Sequence, residues 1–491
     1  MRIKPPNILS DNQSLNINQL DTYIQSAISQ WDIPGLSLAI VKDNKTVVTK
    51  GYGLREAGKS LPVDEHTLFP INGGTRLFTV SALALLVAEG QLSWNDRLTD
   101  VLPWFKTGSE LVNREATVID ALAWRIGFPH ELLTYWPNPG LSRRELLDKL
   151  RHITAPSSFR NGQAVSSLLF IAAGEIIPAL TGISWGDFVR DRLFAPLGMT
   201  NSLTGPHLLE GGDNVVSPHA ELEGQQVIVP RAMTSNMGPA NSIYSNAADM
   251  AKWLQFQLDS GKAGEQLLIP KAQIDQMRKI HQTMSIGLPG CITDLDGCGL
   301  GASVLTSHGG HRVYSVGSDT EGCEAYYGFI PELNLGIAAM VNAHYGLPQR
   351  LVPWVIDRYT GAPETDWVAS LSCITEKRAL KKLTLDKQRE QLTDSSRPAS
   401  LPLAAYVGIY QHPYLGNIAI REDKAGLAFT FGETYEGSLV HTNNHTFFRE
   451  PVKPMFCRVL FGGPLRFNLS YEGQVESITI TEGEFFKNTN Q

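Results

Sequence analysis

Three groups of side chains in this sequence carry chemistry that a functional site could use. Arg76 opens an apolar helical stretch, and a guanidinium there can bind an anionic or carbonyl group of a ligand. Asp319, Glu321 and Glu324 lie close together, and a glutamate in an apolar pocket can have a raised pKa and act as a general acid or base. Cys323 lies among them without a histidine nearby in sequence, which favours a buried thiol over a nucleophile.

The bulk composition predicts a globular protein with more than one domain. The chain has 491 residues, 42% of them hydrophobic and 19% charged, with a net charge of -7. No cluster of basic residues points to nucleic acid, and no uninterrupted apolar run points to a membrane span. The N-terminus lacks the apolar region of a secretory signal, and the cysteines, five in number, form neither a disulfide framework nor a zinc motif. We therefore expect a cytoplasmic protein with no metal or cofactor, and the oligomeric state stays open.

Strand patterns lie at both ends of the first 365 residues, and helical patterns lie between them. Alternating residues predict two antiparallel strand pairs, 36–41 with 46–52 and 325–330 with 335–341. Helices are predicted at 15–31 and 76–89. This order predicts an α+β domain, in which an antiparallel sheet is closed by N- and C-terminal strands and carries an inserted helical lobe.

The remainder of the chain divides into a charged segment and a β-rich tail. Residues 366–400 are predicted to be a linker with helix-prone sequence at 376–393. Residues 401–491 show short strands and turns, which predict a small β-barrel or sandwich. The predicted strands are 406–410, 418–420, 427–431, 447–448, 465–471 and 475–480.

Several segments between residues 15 and 360 resemble the serine β-lactamase and penicillin-binding-protein-like family, near the class C β-lactamases. The matching segments, which follow one another in order, are Phe69-Pro70-Ile71 with residues 86–96, residues 184–185 with 196–199, residues 245–253, and residues 329–342. The tail after Leu401 resembles the small β-domain that is often appended to this family. The resemblance implies a β-lactamase/transpeptidase-like fold, with a cleft between the sheet and the helical lobe.

In that family a serine and a lysine, one turn apart at the start of the central helix, act as nucleophile and base. The matching positions in this chain hold Gly73 and Arg76. Glycine offers no attacking atom, and arginine stays protonated in proteins. Thr75 is the one hydroxyl in this stretch, and on a helix it would point away from the serine direction.

The other family motifs are altered as well. The tyrosine and asparagine of the second motif correspond to Val165 and Ser167, with Ser166 between them. The third motif, Lys- or His-x-Gly, falls at residues 316–318, which begin with Val316. His308-Gly309-Gly310 imitates that motif, but spacing places it in the preceding turn, where His308 and His311 are predicted to face solvent. A family loop that usually carries histidine instead contains Trp124 and Arg125.

Two interpretations of these positions stay open. Arg76 is either a structural residue, paired with Asp319 or Glu321, or a ligand-binding group. The apolar replacements either close the cleft or line a pocket for a hydrophobic molecule, and we favour the pocket. The predicted cleft candidates are Arg76, Trp124, Arg125, Val165, Ser166, Ser167, Val316, Ser318, Asp319 and Glu321.

These features favour a repurposed cleft without the Ser-Lys-Tyr machinery. The first hypothesis is a non-covalent catalyst, such as a cyclase, isomerase or lyase, that acts on a largely apolar small molecule in specialised metabolism. The second is a non-catalytic pseudo-hydrolase that binds a ligand or a partner protein. The third is a hydrolase or esterase that uses unconventional residues.

Overall fold

The chain forms two compact units in the computed structural model, and each is described separately below. The structure describes residues 15–488, except 129–137, 154–158, 162–164, 210–213, 223–224, 284–293, 321, 363–364, 395, 434, 452–461 and 482. Unit 1 comprises residues 1–130, 154–220 and 226–374, and unit 2 comprises residues 131–153, 221–225 and 375–491. The second unit thus begins within the segment that the sequence analysis assigned to a linker, and it includes a stretch inserted between parts of unit 1.

A seven-stranded antiparallel sheet is the framework of unit 1. Its strands follow the order β2-β1-β13-β12-β11-β10-β9. The strands are β1 Gly35–Lys42, β2 Lys45–Gly53, β9 Asp294–Cys298, β10 Ser303–Thr306, β11 Arg312–Thr320, β12 Cys323–Ile330 and β13 Leu335–Val341. Strand β1 pairs with β13, so that Leu36 lies opposite Val341. The predicted closure of the sheet by N- and C-terminal strands is confirmed.

Six short strands of unit 1 and its neighbouring segment pair outside this sheet into three small two-stranded ladders. They are β3 Phe69–Pro70, β4 His219–Leu222, β5 Gln225–Ile228, β6 Tyr244–Ser245, β7 Lys262–Ala263 and β8 Gln266–Leu267. Strand β3 pairs with β6, so that Phe69 lies opposite Ser245. This pairing fixes the backbone just before the central helix.

Helices cover both faces of the sheet and form the predicted lobe. Those of unit 1 are α1 Ile17–Gln30, α2 Thr75–Ala88, α3 Leu98–Val101, α4 Glu110–Glu115, α5 Val118–Leu122, α7 Ser167–Thr181, α8 Trp185–Val189, α9 Ala195–Leu197, α10 Gly238–Asn241, α11 Ala247–Leu258, α12 Lys271–Arg278 and α13 Pro348–Thr360. Helix α6 Arg143–Asp148 lies in unit 2, and α14 Ser372–Leu392 lies almost entirely in unit 2. Helices α2 and α7 are apolar on nearly all sides and are almost wholly buried.

Within the described residues, no single helix combines the length and apolar composition that a membrane span needs. The bent pair formed by 167–181 and 185–197 does so by length and composition alone.

A closed eight-stranded barrel forms the C-terminal part of unit 2. Its strands are β14 Gly408–His412, β15 Gly416–Asp423, β16 Gly426–Phe431, β17 Tyr435–Asn443, β18 Thr446–Pro451, β19 Gly463–Leu469, β20 Val475–Ile480 and β21 Gly483–Lys487, in sequential order, with β21 pairing back to β14. Buried aromatic and aliphatic side chains fill the interior, among them Tyr406, Tyr410 and Phe467. Of the two predicted alternatives, barrel or sandwich, the domain forms the barrel; strands β17 and β21 were not predicted.

Candidate functional site

The turn before helix α2 is anchored to the sheet by Asn72. This residue begins the short 3₁₀ turn Asn72–Gly74 and has a φ of 51°, a left-handed conformation that asparagine tolerates well. Its amide Nδ2 donates to the carbonyl oxygens of Ser318, at 3.4 Å, and Cys323, at 3.3 Å. The start of α2 is therefore held against strands β11 and β12.

Gly73 faces Ser318 and the guanidinium of Arg76. A Cβ atom at position 73 would lie 2.8 Å from the Cβ of Ser318. It would lie 3.3 Å from Cζ and 3.4 Å from Nη1 of Arg76. The positions that the sequence analysis assigned to the first and third motifs thus meet, and the Arg76 guanidinium fills the space beside the missing side chain.

Arg76 is buried among polar and aromatic partners. Its side chain is only 7% exposed, and Nη2 donates to the hydroxyl oxygen of Ser167 at 3.3 Å. Its Cζ lies 5.8 Å from the ring centre of Trp124 and 5.6 Å from that of Phe170. Each such cation–π contact stabilises a desolvated guanidinium by about 0.5–2 kcal/mol. The structure thus brings the first and second motif positions together.

Phe170 is a site residue that the sequence analysis missed. It lies three positions after Ser167 on helix α7, so both side chains project from one helix face. That spacing is a signal that could have identified it, because the face that carries the second motif must also carry the residue one turn further on.

Trp124 has two unusual features for a residue in a packed wall. Its φ is 56°, which is rare for a bulky side chain and marks local strain of the kind found at functional sites. The side chain is 5% exposed, yet its indole Nε1–H has no hydrogen-bond acceptor among the residues that the structure describes. A buried donor of this kind is costly unless something accepts its proton.

Arg125 pairs with a buried carboxylate, that of Asp120. Its Nε lies 3.4 Å from a carboxylate oxygen of Asp120, which is 1% exposed. Arg160 binds the same carboxylate, with Nη2 at 2.7 Å and Nε at 3.1 Å from its oxygens. This hydrogen bond raises the pKa of Arg160 further. The predicted role of Arg125 in ligand binding is therefore not favoured by the geometry.

The remaining candidates of the second and third motifs have the following positions. Val165 is half-buried and Ser166 fully buried, immediately before helix α7. Val316 is 5% exposed on β11, two residues before Ser318, and therefore leaves the sheet on the same face. Thr75 is fully buried, and its hydroxyl oxygen accepts the backbone N–H of Ile243 at 3.1 Å. That hydroxyl has a structural role and is not a substitute nucleophile.

Asp319 does not lie beside Arg76, which corrects the sequence-based expectation. Successive strand residues project to opposite faces, and Ser318 already faces helix α2. Asp319 instead lies opposite Glu324 and pairs with His344, whose Nε2 is 3.0 Å from Asp319 and 3.4 Å from Glu324. His344 was not predicted. It follows β13, whose end pairs with the start of β12, and this position is the feature that could have identified it. Glu321 lies outside the described residues.

Cys323 is a buried thiol, as expected. Burial raises its pKa strongly, so that the thiolate is not accessible at neutral pH. Burial likewise raises the pKa of Cys298 to about 12. Both cysteines are free, and neither is placed to replace a serine nucleophile.

Several of the predicted cleft positions meet as closely packed side chains, and position 73 offers no atom for acylation. The buried guanidinium of Arg76 has the hydroxyl of Ser167 beside it and lies near the rings of Trp124 and Phe170. Guanidinium and indole N–H groups donate hydrogen bonds to carbonyl or carboxylate oxygens. The arrangement suits a ligand with an acceptor group and an apolar body.

The fold and the cleft define a β-lactamase/transpeptidase-like protein. The family model described as Beta-lactamase matches residues 20–361, and this chain belongs to that family. The model of a domain of unknown function, DUF3471, matches residues 393–490, which include the barrel.

Curated relatives include proteins named as hydrolases. The chain is 27% identical over 430 residues to the Unguisins hydrolase ungD' of Aspergillus campestris, which covers 82% of this chain and 77% of the relative. It is 24% identical over 365 residues to Protein flp of Staphylococcus aureus, which covers 72% of this chain and 68% of the relative.

Solved structures support the fold. The octameric penicillin-binding protein homologue from Pyrococcus abyssi matches with a TM-score of 0.64 at 17% identity, over 96% of this chain and 100% of that chain. A class C beta lactamase from Rhodobacter sphaeroides matches with a TM-score of 0.56 at 19% identity, over 70% of this chain and 99% of that chain. At these identities the likeness concerns the fold alone.

Proposed function

We propose that the cleft of unit 1 binds a largely apolar small molecule and promotes its cyclisation, isomerisation or elimination without a covalent intermediate. The observation that carries this proposal is the guanidinium of Arg76, whose Cζ lies 3.3 Å from where a Cβ at Gly73 would stand. A permanently charged donor thus lies beside the position from which the family's nucleophile would attack. An acyl-enzyme has no atom to form on there.

Two kinds of group near position 73 support a non-covalent mechanism. Arg76 and the Nε1–H of Trp124 can stabilise charge that develops on a carbonyl or carboxylate oxygen. The rings of Trp124 and Phe170, with Val316, can hold an apolar body in one orientation, and orientation alone can supply a large part of a rate enhancement. A small molecule, rather than nucleic acid, is the ligand that these groups suit, and a cytoplasmic setting in specialised metabolism remains our prediction.

The binding half of this proposal is tested with 4-phenylbutyrate as the probe and 4-phenylbutan-1-ol as its uncharged partner. Isothermal titration should show that the carboxylate binds more tightly than the alcohol. Arg76→Met should weaken 4-phenylbutyrate binding by about tenfold or more, because a charge-assisted hydrogen bond is lost. Arg114→Met is the control, since Arg114 is exposed and pairs with its neighbour Glu115. If Arg76→Met and Arg114→Met bind 4-phenylbutyrate with equal affinity, Arg76 does not bind the carboxylate.

The catalytic half is tested by turnover. A metabolite that accumulates in a deletion strain should be converted by the pure protein, and Arg76→Met should abolish that conversion. A ligand that binds in an Arg76-dependent way but is never converted would instead support a non-catalytic pseudo-hydrolase.

A second candidate function, hydrolysis by unconventional residues, is favoured by the relatives named Unguisins hydrolase. Such a reaction would need direct attack by water, since position 73 holds glycine. Nitrophenyl-ester turnover by the pure protein without an initial burst would favour this candidate over an isomerase or lyase. Absence of turnover on esters and amides would count against it.

A further inference from the structure

Trp124 and Arg160 are non-glycine residues in the left-handed backbone region, and they lie in neighbouring turns of unit 1. Their φ angles are 56° and 64°. The two turns are joined directly, because the backbone N–H of Arg160 donates to the carbonyl oxygen of Arg125, the residue after Trp124, at 2.7 Å. A bulky residue stays in this conformation only where the surrounding contacts hold it there. The contacts around the two turns must therefore supply that restraint.

One buried carboxylate, that of Asp120, holds both turns. Asp120 lies on helix α5 and is 1% exposed. Arg160 donates to its carboxylate oxygens from Nε at 3.1 Å and from Nη2 at 2.7 Å, and the Nε of Arg125 lies 3.4 Å from it. The backbone carbonyl of Asp120 also accepts the N–H of Arg125 at 2.9 Å. Both backbone hydrogen-bonding groups of Arg125 are thus engaged, one by Asp120 and the other by Arg160.

The residue before Trp124 is fixed as well. The backbone N–H of Ala123 donates to the carbonyl oxygen of Ile119 at 2.9 Å, and the Ala123 carbonyl accepts the thiol of Cys298 at 3.3 Å. The ring centre of Trp124 is 5.8 Å from Cζ of Arg76, and its indole Nε1–H has no hydrogen-bond acceptor within the described part of the chain. Because the backbone on both sides is held, the ring stands beside the guanidinium as long as φ stays left-handed.

We propose that Asp120 and Arg160 are positioning residues of the proposed cleft, because their ion pair keeps Trp124 left-handed with its ring beside Arg76. Neither Asp120 nor Arg160 touches the ligand. The indole Nε1–H of Trp124, held in this place, is a second donor for a ligand carboxylate beside the guanidinium. This inference rests on the proposed function, since it assigns Trp124 a share in binding the same carboxylate.

The position of Trp124 is read directly by ¹⁹F NMR of the full chain labelled with 5-fluorotryptophan. The chain has nine tryptophans, and the Trp124 resonance is the one that Trp124→Phe removes. Arg160→Met removes the ion pair at a side chain that is 41% exposed, and it should shift or broaden the Trp124 resonance in the absence of ligand. Trp185, whose indole N–H donates to Thr79 at 3.0 Å, should keep its resonance.

A binding cycle separates positioning from a general loss of stability. Trp124→Phe should weaken 4-phenylbutyrate binding by about fivefold, since a neutral hydrogen bond contributes about that much to affinity. Arg160→Met should weaken binding by about threefold to fivefold in the wild-type background and by less than about twofold in the Trp124→Phe background, because it acts through Trp124. Arg114→Met, which removes an exposed charge paired with Glu115, should change neither the affinity nor the Trp124 resonance. Asp120→Asn, which keeps the side-chain shape and removes the charge, is the second variant if Arg160→Met does not fold.

Two results would overturn the inference. One is a Trp124 resonance that stays in place in both Arg160→Met and Asp120→Asn. The other is an effect of Arg160→Met on binding that is equally large in the Trp124→Phe background. A failure of the proposed function is seen separately, as absence of 4-phenylbutyrate binding to the wild type, and the ligand-free Trp124 resonance then still decides whether the ion pair holds this residue.

Discussion

Gly73, Ser318 and Arg76 depend on one another for space. The Cβ of Ser318 and the guanidinium of Arg76 occupy the volume that a side chain at position 73 would need. The side chain of Ser318 thus fits because position 73 is glycine, and the guanidinium of Arg76 occupies the remaining space beside them. The residues at these three positions therefore form one packed arrangement.

A double-mutant cycle tests this dependence at the residue scale. Gly73→Ala should lower the free energy of unfolding by about 1–3 kcal/mol, because a Cβ would lie 2.8 Å from that of Ser318. In a Ser318→Gly background the loss should shrink, which gives a coupling energy of about 1 kcal/mol or more in urea unfolding. Additive effects would mean that the two residues do not compete for space.

The same geometry predicts the outcome of an attempt to restore the nucleophile. Gly73→Ser should give no nitrophenyl-ester turnover, because the new side chain would be crowded by Ser318 and because Arg76 is no base. Measurable turnover from that single change would show that another base is in place.

At the scale of elements, a buried histidine at the start of β4 ties the loop after β2 to the residue that follows β13. His219 is fully buried, its Nε2 accepts the backbone N–H of Ala57 at 3.0 Å, and its Nδ1 donates to the carbonyl of Asn342 at 3.0 Å. Asn342 in turn donates to the carbonyls of Leu54 and Arg55. Burial lowers the pKa of His219 below its usual value of 6.5.

This lowered pKa predicts how stability depends on pH. Above about pH 6.5 His219 is neutral in both states, so it adds no pH dependence. Below that pH the unfolded chain gains a proton that the folded chain resists, and stability falls by up to about 1.4 kcal/mol per pH unit. Urea unfolding at pH 7.5 and 5.5 should therefore show a smaller loss in His219→Gln than in the wild type, by on the order of 1 kcal/mol. The control His66→Gln, at an exposed histidine, should lose as much unfolding free energy between pH 7.5 and 5.5 as the wild type. If His219→Gln also loses as much as the wild type, His219 is not the source of this pH dependence.

The elements that sequence could predict are those with strong hydrophobic periodicity. Strands β1, β2, β12 and β13 and helices α1 and α2 lie within a few residues of the predicted ranges, since each is an uninterrupted apolar or alternating pattern. Strand β17 was missed because Gly437 takes an inward position and interrupts the alternation of apolar and polar residues. The orientation of Asp319 depends on which strand lies beside which, and one sequence does not contain that pairing.

For the whole molecule, the sequence identified the architecture of the first domain and a small β-domain after it, through the resemblance to a family. It could not predict that the barrel closes, because closure depends on the pairing of β14 with β21, which joins residues far apart in sequence, such as Tyr410 and Lys487.

Our central proposal is that this molecule keeps the family fold without the family's acylating machinery. The most direct measurement is the intact mass of the purified protein after incubation with a fluorophosphonate and, separately, with a penicillin, beside a family enzyme that has the serine. We predict no mass increase for this protein under conditions that label the comparison enzyme fully. An adduct mapped to a serine of the cleft, such as Ser167 or Ser318, would contradict the account.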